Sequence, residues 1–411
     1  MLKEDDVQLL PPQVLLALQF RTFSEPLLPN LKSLELRDIT DDSISFIPLF
    51  LSTRITSILL GFELELGSEL PKAVIASLVT SLPTLCPNLQ RIGLHYTPRD
   101  PMITAAISEM FLATDRNTLQ RFHVDSPLAD EVREVICKLP NLRGLWLVID
   151  GPAPLPTLVL PNLTAINIEY DDDRSWLQGF RGATLGKLTS VTFRSGSHSI
   201  GDILEAFKSV ALTTSIPATL SKFEFHTSRP WRPNCRSLLL FTRLKKLDIG
   251  FPCGRDCSST IDDDILTDLA RAIPKLKNLR LGAAPCNTPA SVTFKGLAAL
   301  TYHCPRLSKL RIHFRVANFD PAESPLPQGD CALTDLEVGG ISVPGGSTSM
   351  VALTLLRIFP RLHSISYTNP GWAMVAHAIN VTEEFSDDSG EGSWVFTPRS
   401  KIDGAPPRSH T

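Results

Sequence analysis

At 411 residues the chain is long enough for two or three ordinary domains, and 43% hydrophobic with 20% charged residues is the composition of a chain that buries a core. A net charge of −3 excludes the basic surplus that a general nucleic-acid or anionic-membrane binder needs. Proline, at 33 residues, exceeds the usual level of about 5%, and its placement proves regular.

The N-terminus, Met1 to Asp6, is acidic and lacks the basic-then-apolar layout of a secretory signal. Residues 1–30 include Val14-Leu15-Leu16-Ala17-Leu18, which predicts a capping helix. No stretch reaches the roughly 18 uncharged apolar residues of a membrane span. The eight cysteines have no paired spacing, so they are expected to be reduced, mostly core thiols in a cytoplasmic or nuclear protein.

From Leu31 one pattern recurs: an aliphatic residue, two others, an apolar residue, one other, an apolar residue. Good copies are Leu31-Leu34-Leu36, Leu89-Ile92-Leu94, Leu142-Leu145-Leu147, Leu163-Ile166-Ile168 and Leu188-Val191-Phe193. They continue with Leu244-Leu247-Ile249, Leu276-Leu279-Leu281, Leu307-Leu310-Ile312 and Leu333-Leu336-Val338. Weaker copies begin at Ile55, Leu119, Leu220 and Leu362, which makes thirteen, with steps of 21 to 34 residues. The mean step of about 28 falls within the leucine-rich range. Alternation of the last two apolar positions with polar ones predicts a strand with one buried face.

Between the copies, helical spacing predicts helices over Lys72–Leu82, Ile103–Leu112, Asp130–Leu139, Ile200–Leu212, Asp262–Ile273 and Met350–Phe359. Asp262, Asp263 and Asp264 put negative charge at a helix start, where the dipole favours it. Proline closes these segments before the next strand, at Pro87, Pro140, Pro274, Pro305 and Pro360. Strands pack about 4.8 Å apart and helices about 8–10 Å apart, so strands line the inside of an arc and helices the outside. The fold expected is an α/β leucine-rich-repeat solenoid, a horseshoe with a parallel inner sheet and outer helices, over residues 31–380. Residues 319–329 read as a Pro-rich insertion and residues 381–411 as a disordered tail.

Leu85-Cys86-Pro87-Asn88-Leu89 and His303-Cys304-Pro305-Arg306-Leu307, each with the apolar positions that follow, resemble the cysteine-containing leucine-rich repeat of F-box proteins. Phe23-Ser24-Glu25-Pro26-Leu27-Leu28-Pro29-Asn30-Leu31 looks like the first repeat of fungal F-box/leucine-rich-repeat proteins. The resemblance implies repeats that hold a protein substrate and an F-box that docks on a ubiquitin-ligase adaptor. Leu10-Pro11-Pro12-Gln13-Val14-Leu15 looks like an F-box opening, yet only thirty residues precede Leu31. Adaptor binding is therefore expected only if an F-box lies upstream; the alternative is a free-standing interaction or inhibitor protein.

The residues that flank the last two apolar positions of each strand point away from the core. The candidate partner-binding set on this inner face is Arg91, His95, Arg121, His123, Trp146, Lys246, Arg280, Lys309, Arg311 and His313. Lys222, Glu224, Asp248, Asp335 and Glu337 share the face. Over thirteen strands it holds nine Lys/Arg and seven Asp/Glu, a balance suited to protein recognition and not to tracking phosphates. Trp146 is the aromatic hot-spot candidate. Arg280, Lys309, Arg311 and His313 form a cationic patch suited to an acidic or phosphorylated segment, with Asp335 and Glu337 placed to neutralise it. The plain alternative for each is a solvated strand residue.

No catalytic, cofactor or metal residue is expected, and no enzymatic activity. Cys253 and Cys257 lack a second pair at zinc-ligand spacing. Asp171-Asp172-Asp173 lacks the glycine and final glutamate of a calcium loop. No glycine-rich phosphate loop or nucleophile elbow is present. Asn162-Leu163-Thr164 matches the glycosylation pattern, but Leu163 opens a buried strand.

Overall fold

The computed structural model describes residues 26–62, 72–95, 97, 100–150, 154–170, 175–180, 182–195, 207–208, 216–227, 235–250, 261–282, 290–316, 331–338, 343, 347–367 and 369–381. The expected capping helix, the 200–212 helix apart from two of its residues, the 319–329 insertion, Cys253, Cys257, the Asp171–Asp173 triplet and the 381–411 tail beyond Val381 lie outside them. The chain forms two compact units, residues 1–196 with 205–220, and residues 221–411 with 197–204.

The first unit contains seven parallel strands that follow chain order: β1 (Ser33–Ile39), β2 (Ser57–Phe62), β3 (Arg91–His95), β4 (Arg121–Pro127), β5 (Gly144–Ile149), β6 (Ala165–Tyr170) and β7 (Ser190–Ser195). Their register aligns the second apolar position of every repeat into one row, Leu34, Ile58, Ile92, Phe122, Leu145, Ile166 and Val191. Each of these side chains is at most 3% exposed. A one-residue slip would turn the whole row to solvent, so burial fixes the register.

Among the described residues, the three α-helices of this unit longer than one turn are α1 (Lys72–Leu85), α2 (Pro101–Ala113) and α3 (Asp130–Ile136). Their length follows the repeat step. The 34- and 30-residue steps hold helices of 14 and 13 residues, the 23-residue step one of 7, and the 21-residue step from Leu142 none among the described residues. α1 runs past the expected end at Leu82, through Pro83, because Cys86 N–H still donates to Leu82 O at 2.8 Å. α2 begins with Pro101 behind an Asp100 cap, whose carboxylate accepts from Met102 N–H. Its Phe111 meets Phe122 of β4 edge to face at 5.1 Å.

The second unit repeats the scheme with six parallel strands: β8 (Lys222–Thr227), β9 (Lys246–Gly250), β10 (Asn278–Leu281), β11 (Lys309–Ile312), β12 (Asp335–Val338) and β13 (Ser364–Tyr367). The inner row is Phe223, Leu247, Leu279, Leu310, Leu336 and Ile365. Its helices are α4 (Asp263–Ala272), α5 (Phe294–His303), α6 (Thr348–Ile358) and α7 (Ala373–Val381). α5 is not among the helices that the spacing predicts, although Pro305 is expected to close a helical segment there. Gly296 interrupts its apolar pattern, yet Thr293 caps it by accepting from Lys295 N–H.

The turns carry a second ladder. Asn88, Asn141 and Asn162 each donate their amide to a carbonyl one repeat back, Thr53 O, Asn117 O and Pro140 O, at 2.8 to 2.9 Å. That bond commits the Asn162 amide, and Leu163 beside it is fully buried. Cys86, Cys137, Cys304 and Cys331 are buried. Cys304 and Cys331 donate to carbonyls of the preceding turn. Burial pushes the thiols of Cys86, Cys137 and Cys304 up to about 11, 12 and 12, so they are inert packing groups. Among the described residues no helix is long and apolar enough to cross a membrane.

Candidate functional site

On the outward face of the first unit, alternation along three neighbouring strands gathers a cluster of rings. His95 ends β3, His123 and Asp125 stand two residues apart on β4, and Trp146 lies beside His123 on β5. Gly93 is the β3 partner of His123. Without a side chain there, His95 can fold back: a Cβ at 93 would lie 3.6 Å from His95 Nε2 and 3.3 Å from Leu59. The two imidazoles meet edge to face, centroids 3.8 Å apart. His123 lies flat on Trp146 at 3.7 Å, the planes 10° apart. From β7, Arg194 brings its guanidinium carbon to 4.9 Å from the indole centroid.

Asp125 joins the two histidines, with Oδ1 2.8 Å from His123 Nε2 and Oδ2 3.4 Å from His95 Nδ1. Burial pushes the His123 imidazole below its ordinary pKa, and the charges of His95 and Arg194 act the same way, against the hydrogen bond and charge of Asp125. One donor atom from each of His95, His123 and Asp125 lies within 4.8 Å of the others, all half-buried. Two nitrogens and a carboxylate oxygen at that spacing could hold a divalent metal. The indole Nε1 of Trp146 and Oδ1 of its β6 neighbour Asn167 are buried without a hydrogen-bond partner.

On the second unit the same face is laced by ion pairs. Glu224 bridges Lys222 at 2.9 Å and Lys246 at 2.5 Å. Burial opposes its charge, but hydrogen bonds from both lysines outweigh that and hold the carboxyl down at about 2. Asp248 faces Arg280 at 3.7 Å, and burial raises its carboxyl against the pull of that guanidinium. Arg311 pairs with Glu337 at 3.2 Å. Lys246, Asp248, Arg280, Arg311 and Glu337, with Lys309 and Asp335, line a cleft of about 350 Å³.

The expected outward residues therefore divide. His95, His123 and Trp146 come together, whereas Arg91, Arg121 and Lys309 are exposed and form no ion pair among the described residues. The aliphatic stem of Arg121 packs over Gly144. Lys246, Arg280 and Arg311 converge on the cleft, already paired with Glu224, Asp248 and Glu337. His313, expected on the exposed face, is 8% exposed with both ring nitrogens lacking a partner, and burial pushes its pKa down. It lies just past the end of β11, where alternation no longer holds it on the strand's outward side. Asp125 and Arg194 enter the sequence reading only through the charge balance. The rule that selects His95, the last flanking position of a repeat, finds both.

No family model matches the chain, and no curated protein matches it. Among solved structures, a chain of the yeast Rad7–Elc1 complex is similar over 76% of this chain and 76% of that one, with 16% sequence identity and a TM-score of 0.42.

Proposed function

We propose that this chain is a protein-binding leucine-rich-repeat scaffold, and that it serves as the substrate-recognition part of an F-box-type ubiquitin ligase in the cytoplasm or nucleus. The observation that carries the binding role is the outward strand face: a half-buried tryptophan in one unit, and in the other a 350 Å³ cleft lined by both signs of charge. Aromatic and arginine anchors on a rigid sheet are the usual energetic centres of protein recognition. Alternating charge favours a polypeptide of mixed character over a phosphate backbone. The chain acts by binding, without catalysis of its own.

The ligase role rests on the likeness of the segments around Cys86 and Cys304 to the repeats of F-box substrate receptors. Adaptor recruitment needs an F-box, which the repeats themselves do not supply. Affinity capture with the full chain, alongside Trp146→Ala and Arg311→Glu, tests both parts. A substrate that is retained by the parent chain and lost with either variant supports the binding face; one held equally by all three removes it. Adaptor in the same eluate supports the ligase role, and substrate without adaptor favours the free-standing scaffold.

A further inference from the structure

We propose that His95, His123 and Asp125 form a binding site for a first-row divalent metal of the zinc class on the outward face of the first unit. The inference is independent of the partner-binding role. The donor set comes first: two imidazole nitrogens and one carboxylate oxygen suit Zn²⁺ and its neighbours, whereas Mg²⁺ and Ca²⁺ call for oxygen shells.

The spacing of the donors also fits. With bonds of about 2.0–2.2 Å, ligand atoms of a tetrahedral site stand roughly 3.3–3.6 Å apart. Asp125 Oδ2 is 3.4 Å from His95 Nδ1, and Oδ1 is 2.8 Å from His123 Nε2. All three donors fall within 4.8 Å. A small withdrawal of the carboxylate from His123, through its own χ angles, accommodates the ion. The proton that His123 or His95 shares with Asp125 leaves as the metal takes the nitrogen lone pair, so binding releases protons.

The sheet also supports the site. His123 and Asp125 alternate on one strand and His95 ends the neighbouring one, so the backbone hydrogen-bond ladder fixes their separation. Gly93 leaves the space into which His95 folds, and Trp146 holds the His123 ring by stacking. Preorganisation of this kind is what a metal site built on strands requires. Arg91 lies four residues back from His95, roughly 13 Å along the strand, while Arg121 lies four residues back from Asp125 but only two, roughly 7 Å, from His123. The nearer cation opposes the metal's charge, an effect that its exposure and salt screening over about 8 Å reduce. Arg194 reaches the indole from β7, with Trp146 as its contact. Three protein ligands leave a coordination position for water or for a side chain of a partner.

The test uses the full chain, stripped with chelator and titrated with Zn²⁺, and with Co²⁺ as a spectroscopic probe. We expect one equivalent bound through His95, His123 and Asp125, proton release on binding, and a rise in melting temperature with Zn²⁺. His95→Ala and Asp125→Asn should each weaken that binding at least tenfold. Asp125→Asn keeps the side-chain shape, so it separates ligation from folding should a histidine variant prove unstable. Circular dichroism of each metal-free variant checks its fold. Absence of stoichiometric binding overturns the proposal, and so does binding that Asp125→Asn and His95→Ala leave unchanged, which would place the metal on other groups of the chain.

Discussion

Asp263, the first residue of α4, accepts a hydrogen bond from Gly296 N–H at 3.1 Å and fills the space that a side chain at position 296 would need. The same carboxylate accepts from Thr293 N–H at 2.7 Å and from the Thr293 hydroxyl at 2.6 Å. One acidic group at the start of α4 thereby satisfies orphan N–H groups at the start of α5. Gly296→Ala should cost about 1–3 kcal/mol, since its Cβ collides with Asp263, and Asp263→Ala should cost a similar amount. Because both act on one contact, the double variant should lose less than the sum. Urea unfolding of the two single variants and the double decides it, and strict additivity would show that the contact is not shared.

The strand register gives a sharper contrast one residue apart. Leu145 is 3% exposed in the inner row, while Trp146 points outward and is held by His123 and Arg194. Leu145→Asp buries a carboxylate among apolar neighbours and should cost several kcal/mol. Trp146→Ala gives up a stacked pair worth about 1 kcal/mol and leaves the core intact. Thermal melts of the two variants should differ widely, and matching melting temperatures would refute this assignment of faces.

Much of this was legible in the sequence. The inner rows headed by Leu34 and Phe223 are the second apolar position of each repeat, because strand alternation and burial act locally. Helix α5 was hidden because what permits Gly296 there is a contact with Asp263, 33 residues away. The ring cluster was half visible. Repeat position marks His95, His123 and Trp146 as outward, but their convergence on Asp125 depends on strand-to-strand register and on the missing side chain at Gly93. The burial of His313 depends on how the chain leaves β11, which no short-range pattern specifies.

Acid should act on the second unit through Glu224. Its folded carboxyl sits at about 2 against an ordinary value of 4.5. That depression contributes stability above the ordinary value, which is lost as pH falls through about 2. Both lysines are about 40% exposed, so screening keeps the contribution near 1 kcal/mol. Glu224→Gln should therefore melt lower than the parent at pH 7, and the difference should shrink as the solution is acidified towards pH 2. A gap that persists undiminished at low pH would mean that the lysine pairs are not its cause.

His313 should respond at milder acidity and in the same direction. Burial lowers its folded pKa, so the unfolded chain takes up a proton that the folded ring resists. Stability attached to it is present above the ordinary value of 6.5 and is lost as pH falls below that towards the folded value. Replacing the ring by Phe removes two buried nitrogens that have no partner and keeps most of the volume. His313→Phe should be neutral or stabilising by about 1 kcal/mol at pH 7.5, with a larger gain at pH 5.5. Equal destabilisation at both pH values would show that the imidazole makes polar contacts that the fold depends on.

The cleft of the second unit turns on Arg311, which is only 16% exposed at its side chain and is held by Glu337 at 3.2 Å. Lys309, its neighbour two residues back, is exposed and forms no ion pair among the described residues. An acidic or phosphorylated partner segment entering the cleft would compete with Glu337 for the Arg311 guanidinium, and a charged donor of that geometry favours bidentate capture. Two opposite substitutions then separate recognition from folding. Glu337→Gln releases Arg311 and should tighten binding of such a partner, while Arg311→Glu sets two carboxylates against each other and should weaken it several-fold. Affinity should also fall as salt is raised, because charges near the cleft mouth are screened over about 8 Å at physiological ionic strength. The measurement is the association and dissociation rate of the captured partner for the parent chain and both variants at two salt concentrations. A basic partner would reverse both signs, and rates insensitive to either substitution would remove this cleft from the binding surface.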